Sequence, residues 1–547
     1  MPNSGCIARA ACVKWSAVLI AMLAATTSAQ TGFARSGERS WTHLGGSSRR
    51  HSLVSLPCAP STTPTWVRAT DIGGHPITFV GQAGLAVYAG DGVEDGLVFA
   101  TGRISPPGQP ANQHRLFAFA RSNGAVRWQS QVATPVLDSF SSPALDEVNR
   151  VVIHASGRRV QAFRMDTGML AWERSLTNFI VNASPMVTSD RGPADRVFIT
   201  DYDGFGGSSR LYCINADPFD PARNPYQPGE ILWSYPIGSS SGNSVSYLPA
   251  DMGGESLVYV ATVGPDPGFA PGRIYAFPIS DTIPSPRWTY ENEIPEGYFG
   301  GVCVVPPDPF EPPGQPPILY AATYAFCASC GSDSASLVKV NARTGEEIWT
   351  VPSNRTQSIP IPLPGGRVAL SAGIQGFGTV PNVQMFEDLG ASAQLVWDTT
   401  IGLFNLGGWT HQPIAAQFGG YDVLAVGVPP ADFTQVSPEM LIVNLASDPS
   451  REDFVLRHYA GSGGSPAIVG SALYSVGTLG LVALGPSPRQ LDVNGDGSLG
   501  IADLYAWENG TGNRDVNNDG NITGQDRLDL LSFLRAPEAA MMTGGRE

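Results

Sequence analysis

The sequence predicts an all-β chain: a β-propeller of eight four-stranded blades, or seven on the alternative parse, followed by a small helical module built on two calcium loops. Three observations carry this. A Trp recurs after a strand-like run and a glycine turn. Short apolar strands recur at a period of about 40 to 60 residues. Two loops rich in Asp, Asn and Gly follow from residue 492.

Composition sets the frame. The chain has 547 residues, of which 15% are charged, with 63 Gly and 46 Pro, so turns are plentiful and strong helix formers are scarce. Lys14 and Lys339 are the lysines. A formal net charge of -15 argues against nucleic acid as a partner and agrees with solubility outside the cell and with cation binding.

The N-terminus reads as a secretory signal over residues 1–29. Arg9 and Lys14 supply the positive region, Ala17 to Ala25 the apolar run, and Thr27-Ser28-Ala29 the small residues at the cleavage site. The run is too short to span a bilayer and no second span follows, so no transmembrane anchor is expected. Secretion to the cell surface, the medium or the periplasm follows. Cys12 precedes the apolar run, which is the wrong place for a lipoprotein signal. The mature chain would hold Cys58, Cys213, Cys303, Cys327 and Cys330, an odd number. Cys327 and Cys330 have the CxxC spacing of a local disulfide; a second CxxC for zinc and a following His for haem are missing.

The repeats come next. Ala118-Phe119 leads through Gly124 to Trp128, Ala162-Phe163 through Gly168 to Trp172, and Val338 to Val340 through Gly345 to Trp349. Gly229 precedes Trp233, and Trp288 and Trp397 keep the position with Pro284 and Ala393 in place of the glycine. Glycine permits the positive φ of a tight hairpin. Ser142-Pro143, Ser184-Pro185 and Ser465-Pro466 open first strands, with His411-Gln412-Pro413 as a variant. Second strands are expected at Leu97 to Ala100, Val151 to His154, Arg196 to Thr200, Leu257 to Ala261, Ile318 to Ala322, Val368 to Ser371, Asp422 to Val426 and Ala472 to Val476. The last unit, near 464–486, lacks a fourth strand. The segment 64–69 around Trp66 is expected to supply it and close the ring, which removes the open sheet edges. The seventh unit has no Trp, and Phe454 is the aromatic expected in its place.

These A-x-x-x-x-x-G-x-x-x-W runs, with the opening Trp41-Thr42-His43-Leu44-Gly45-Gly46, resemble the eight-bladed quinoprotein-type (PQQ-like repeat) propellers over roughly 41–486. The resemblance implies the fold; the Trp residues themselves mainly dock neighbouring blades. Dehydrogenases of that family hold PQQ in the central funnel, under an adjacent Cys-Cys disulfide, with a calcium ion and a general-base Asp. This sequence has no adjacent cysteines and no haem motif, and no Asp matches the base, so PQQ is offered as a cofactor without motif support. The family's other branch consists of binding and scaffold propellers, including an outer-membrane assembly lipoprotein whose lipobox is missing here.

Other catalytic constellations are thin. His43, His51, His75, His114, His154, His411 and His458 are scattered, without HExxH or GxSxG. His154 sits in an apolar strand and reads as a satisfied core or edge residue. His411 opens a blade, where strand starts line the channel, and is the histidine to inspect for a ligand. Asp201-Tyr202-Asp203 reads as a solvated turn.

The clearest chemistry is C-terminal. In 492–503 and 515–526, side-chain oxygens fall at positions 1, 3 and 5: Asp492, Asn494 and Asp496, then Asp515, Asn517 and Asp519. Calcium takes six to eight oxygens. Gly497 and Gly520 allow the sharp turn, Ser498 and Asn521 offer carbonyls at position 7, and Asp503 and Asp526 close the loops at position 12. Two calcium sites are expected. Asp is shorter than the usual Glu at position 12, so affinity in the extracellular range of about 10⁻⁴ to 10⁻³ M is expected. A helix follows each loop, over Ile501 to Glu508 and Gln525 to Leu534, and none precedes it.

This loop-then-helix duplication resembles the type I dockerin over about 490–535. The resemblance implies tethering to a cohesin-like protein. Dockerin recognition pairs are Ser-Thr-like at loop positions 10 and 11; here Ile501-Ala502 and Gly524-Gln525 stand there and depart from that pattern. Residues 536–547 read as a disordered tail. The leading function is an exported calcium-binding propeller, a binding or scaffold protein at the cell surface or in an extracellular assembly. A PQQ-dependent dehydrogenase and a polysaccharide-acting enzyme attached through the dockerin-like module are the alternatives.

Overall fold

The recurring glycines and tryptophans place the turns and outer strands of eight antiparallel sheets. The computed structural model describes residues 39–535 apart from 56–62, 81–82, 91–94, 137–140, 189–193, 253, 265–270, 294–295, 308–314, 325–334, 374–379, 409–410, 419–420, 432–434, 471, 486–490, 492, 495–499 and 517–521. The signal-peptide residues, Cys58, the Cys327/Cys330 pair and the tail at 536–547 lie outside the described residues.

Blade 1 comprises Ala86–Gly90, Asp95–Ile104, Gln113–Ala120 and Val126–Gln131, from first strand to fourth. Blade 2 is Ala144–Asp146, Val151–Arg164 and Leu170–Ile180. Its long run passes through Gly157 at φ 60° and takes the place of the two middle strands, pairing with Ala144–Asp146 through its first half and with Leu170–Ile180 through its second. Blades 3 to 7 each supply four strands of their own, beginning at Met186–Val187, Ser246–Leu248, Cys303–Val305, Ile361–Leu363 and Ile414–Phe418. Blade 8 has Ala467–Val469, Ala472–Gly477 and Gly480–Leu484, and borrows Trp66–Arg68 as its fourth strand, with Trp66 opposite Ala483 and Arg68 opposite Leu481. The ring is therefore closed as the sequence predicts, and eight is the blade count. Every expected second strand is present.

First strands of neighbouring blades touch, including Ala467–Val469 of blade 8 with Ala86–Gly90 of blade 1, so these strands surround the axis. The cores lie between blades. Phe99, Leu116 and Trp128 of blade 1 pack with Leu145, Val152 and Phe163 of blade 2, and equivalent clusters follow around the ring. Burying each such side chain contributes about 1.5–3 kcal/mol.

The Trp repeat is a docking device. Trp128, Trp172, Trp233, Trp349 and Trp397 each stand opposite the third strand at a one-residue bulge, and Trp66 and Trp288 hold the same place. Each ring then covers the hairpin of the next blade. A Cβ on Gly124 would meet Trp66 at 2.4 Å, one on Gly168 would meet Trp128 at 2.6 Å, and one on Gly345 would meet Trp288 at 2.6 Å. The indole N–H of Trp66 donates to the Arg121 carbonyl, that of Trp128 to Met165, and that of Trp233 to Ser280. In blade 7 the register puts Arg457 at the Trp position, opposite Ile442. The expectation for Phe454 is corrected: its ring lies on the receiving side, edge-on to Trp397 of blade 6 at 5.5 Å.

Residues 41–55 thread the axis. Trp41 exchanges backbone hydrogen bonds with Val87 of blade 1, and the Thr42 carbonyl accepts from Leu145 of blade 2. His43 Nε2 accepts from Val187 N of blade 3 at 2.9 Å. The Ser48 carbonyl accepts from Tyr247 of blade 4, and that of Arg49 from Val304 of blade 5. Leu53 packs on the cluster containing Ile361 and Leu363 of blade 6, while Leu53–Ser55 pairs in parallel with the first strand of blade 7. Val54 joins the blade 8 core. The segment thus meets the blades in their order around the ring.

C-terminal to the ring, α1 (Ile501–Glu508) and α2 (Gly524–Arg535) share a small core of Leu491, Val493, Ala506, Trp507, Val516 and Leu530. No described helix is long and apolar enough to cross a membrane.

Candidate functional site

The occupant of the central channel carries polar and charged side chains. Gly45 and Gly46, at φ 76° and 93°, turn the segment back on itself, and a side chain on Gly46 would strike the Trp41 ring at 3.0 Å. Arg50 lies beyond, fully buried. Its Nε donates to the Val245 carbonyl at 2.7 Å, Nη1 to Leu44 at 3.2 Å, and Nη2 to Ser184 at 3.0 Å and Pro185 at 3.3 Å. Burial pulls its pKa down to about 9, still cationic at neutral pH. Carbonyl dipoles from the segment and from two blades thus solvate a charge that would be costly to bury alone. Burial, and then Arg50, hold the His43 ring well below the usual histidine range; burial and Arg49 lower His51 to about 3.

A girdle of hydroxyl and amide groups surrounds this segment. Ser142 Oγ accepts from Gly84 N at 2.7 Å, Ser184 Oγ from Ser142 N at 3.0 Å, and Ser244 Oγ from Ser184 N at 3.1 Å. Across the ring, Gln412 Oε1 accepts from Ile359 N at 2.9 Å, and Ser465 Oγ from Gln412 N at 3.0 Å. Each bond joins one blade to the next at the start of a first strand. The Ser-Pro repeats and the His411-Gln412-Pro413 variant therefore have a shared job, blade-to-blade bridging, which sequence reasoning missed although the repeats themselves signalled it.

His411 is buried beside this girdle. Its Nε2 accepts from Gly427 N at 2.8 Å, and burial lowers its pKa to about 3. It ties a strand end and stays neutral. His154 departs from its expected satisfied state. It is 2% exposed, both ring nitrogens lack a partner among the described residues, and burial followed by His114 lowers it to about 4. Asp201 is also corrected: it is fully buried and accepts from Tyr212 Oη at 2.8 Å and Arg210 N at 2.6 Å, so it anchors strands in blade 3. Cys213 and Cys303 are free and buried, and burial pushes both thiols up.

Two oxygen-rich places could hold a cation. Asp146, Asp195 and Asp217 bring carboxylate oxygens within 4.8 Å of one another between blades 2 and 3. Burial, with Asp217 adding to it, raises Asp146, and the Asn149 amide nitrogen bridges Asp146 and Asp217 at 2.8 and 2.7 Å. The other place is the C-terminal pair. Asp503 is fully buried and accepts from Gly500 N at 2.7 Å and Asn494 N at 3.2 Å. Asp526, equally buried, accepts from Thr523 N at 2.7 Å and Val516 N at 2.9 Å. Both carboxylates accept from the N–H three residues earlier; the second bond goes to loop position 3 for Asp503 and to position 2 for Asp526. Of the remaining expected ligands, Asn494 and Asp515 are described; Asp492, Asp496, Ser498, Asn517, Asp519 and Asn521 lie outside the described residues.

Comparison with known proteins bears on the ring. Residues 33–247 match a family model described as outer membrane protein assembly factor BamB. A quinohemoprotein alcohol dehydrogenase from Comamonas testosteroni superposes with a TM-score of 0.53 at 12% identity, covering 93% of this chain and 96% of that one. This chain shares its fold, an eight-bladed β-propeller. A europium-containing methanol dehydrogenase matches this propeller with a TM-score of 0.51 at 14% identity, over 80% of this chain and 90% of that one. At such identities the likeness is one of fold. No curated protein matches the chain.

Proposed function

We propose that this chain is an exported PQQ-like propeller that works as a binding or scaffold protein at the cell surface or in an extracellular assembly, tethered by its dockerin-like C-terminal module with two calcium ions. The single observation that carries the scaffold reading is the filled axis. Trp41–Ser55 occupies the place where a small ligand would meet the first strands, and Arg50 already spends its donors on backbone carbonyls. The described axial residues do not fit a quinone, and the chain has no adjacent cysteines to cover one. Partners would meet the faces and the outer strands.

The calcium reading draws support from the burial of Asp503 and Asp526, each held by backbone N–H groups of its own loop. The expected donor set is oxygen throughout, as a hard cation requires. In that reading Asp492, Asn494, Asp496, Ser498 and Asp503 hold one ion, and Asp515, Asn517, Asp519, Asn521 and Asp526 the other.

Two measurements test the proposal. The full chain, reconstituted with PQQ and calcium, should reduce no dye with alcohols or sugars; quinone-dependent turnover would establish the dehydrogenase alternative instead. Calorimetry with calcium alone should show two sites that vanish in Asp492→Ala with Asp515→Ala, and silence at millimolar calcium would remove the tether's metal. Pull-down from cell-surface fractions, with and without chelator, then addresses a cohesin-like partner.

A further inference from the structure

A segment outside the four strands of each blade runs along the axis of the ring. Trp41–Ser55 contributes backbone or side-chain partners to the first strands of blades 1 to 5 and 7, and packs against blades 6 and 8. The first strands of a propeller present unpaired N–H and C=O groups toward the axis, a template for any extended peptide. Here that template has a sequence-specific occupant. Arg50 reaches blades 3 and 4 together, through Ser184, Pro185 and Val245. His43 uses its side chain to take the Val187 N–H, and Gln412 of blade 7 donates to Ser52 Oγ at 3.2 Å. Arg50 and Ser52 hold left-handed φ values of 56° and 48°, which the segment would not favour by itself and which the surrounding blades impose.

We propose that the central channel is a peptide-binding site whose ligand is the chain's own Trp41–Ser55 segment, and that this intramolecular ligand clasps the eight blades together, with Arg50 as its anchor. The segment is a separable unit by this account. It binds through residues on one short stretch, and its binding energy appears as ring stability, as for any ligand that binds the folded state alone.

The test uses the full chain with a protease-cleavage sequence inserted between Ser55 and Thr63. After cleavage of the folded protein, the N-terminal fragment should co-elute with the ring through gel filtration. Stripping it in moderate urea should lower the melting temperature by on the order of 10 °C, and a synthetic peptide of residues 39–57 should restore it in a concentration-dependent way. The same peptide carrying Arg50→Ala should rebind at least tenfold more weakly. A fragment that leaves without changing the melting temperature overturns the clasp, and equal rescue by the Arg50→Ala peptide overturns the anchor. If the stripped ring unfolds, the urea concentration at which cleaved protein releases its fragment decides: Arg50→Ala must release earlier than the parent, and equal release refutes the anchor.

Discussion

Trp349 of blade 5 donates its indole N–H to Asp388 Oδ1 of blade 6 at 3.1 Å. The same carboxylate accepts from Lys339 Nζ at 2.7 Å, Tyr320 Oη at 2.5 Å and Gly390 N at 2.9 Å. One side chain thus joins two blades; burial raises its pKa, but Lys339, Tyr320 and Gly390 N outweigh that and hold it below the usual carboxylate range. Asp388→Ala strips the partner from a largely buried lysine. We expect a loss of about 3–5 kcal/mol, read from chemical denaturation. Combining it with Lys339→Met should cost less than the sum of the two single changes, because the orphaned charge is then gone.

Gly124 and Gly108 separate backbone strain from crowding. Both have positive φ, at 67° and 74°, but a Cβ on Gly124 would strike the Trp66 ring while one on Gly108 meets nothing. Gly108→Ala should cost about 1–2 kcal/mol, the left-handed penalty alone. Gly124→Ala should cost a further 1–3 kcal/mol for overpacking and should loosen the closing strand, seen as faster hydrogen exchange over Trp66–Arg68.

Ser184→Ala leaves the buried Ser142 N–H without its acceptor. A loss of about 1–3 kcal/mol is expected, against little effect for Ser280→Ala, whose hydroxyl bonds only in the exposed turn to Thr282. Thermal melting of the two variants side by side checks this.

Acidification should destabilise the ring. His51, His154 and His411 have folded pKa values lowered to about 3, 4 and 3. In the unfolded chain they take up protons near pH 6.5, while in the folded ring they do not. The unfolded state therefore binds more protons as pH falls from about 6.5 toward 4. Stability should drop over that window by about 1.4 kcal/mol per pH unit for each histidine. His154→Leu should flatten the slope by one proton's worth, and because it removes two unpartnered buried nitrogens it should not weaken the ring at pH 8.

The blades were legible because each is local. An apolar run such as Arg196–Thr200 needs only its own period, and Trp172 announces its place through a glycine a few residues away. The borrowed strand at Trp66 could be read because a unit near 464–486 was one strand short. The clasp could not be read. Residues 41–55 are mostly Gly, Ser, Arg and His without period, and their partners are spread along the chain, from Val87 to Gln417. Arg457 escaped for a related reason: a cation at a Trp position breaks the repeat that would reveal it, and the nearest aromatic, Phe454, serves the preceding blade instead. His154 looked like a satisfied core residue because a sequence shows that a position is apolar, and nothing of whether a partner reaches it.

The borrowed strand also decides how the ring bears force. Gly480–Leu484 leads toward the C-terminal module, so tension on that module arrives first along this strand. It lies between Ala472–Gly477 on one side and Trp66–Arg68 on the other, and Thr65 adds two bonds, to the carbonyls of Ala483 and Gly485. A strand held on both flanks must shear all its hydrogen bonds together, whereas an edge strand peels one bond at a time. The stitch that completes blade 8 is thus the rivet at which any load on the C-terminal helices would enter the ring.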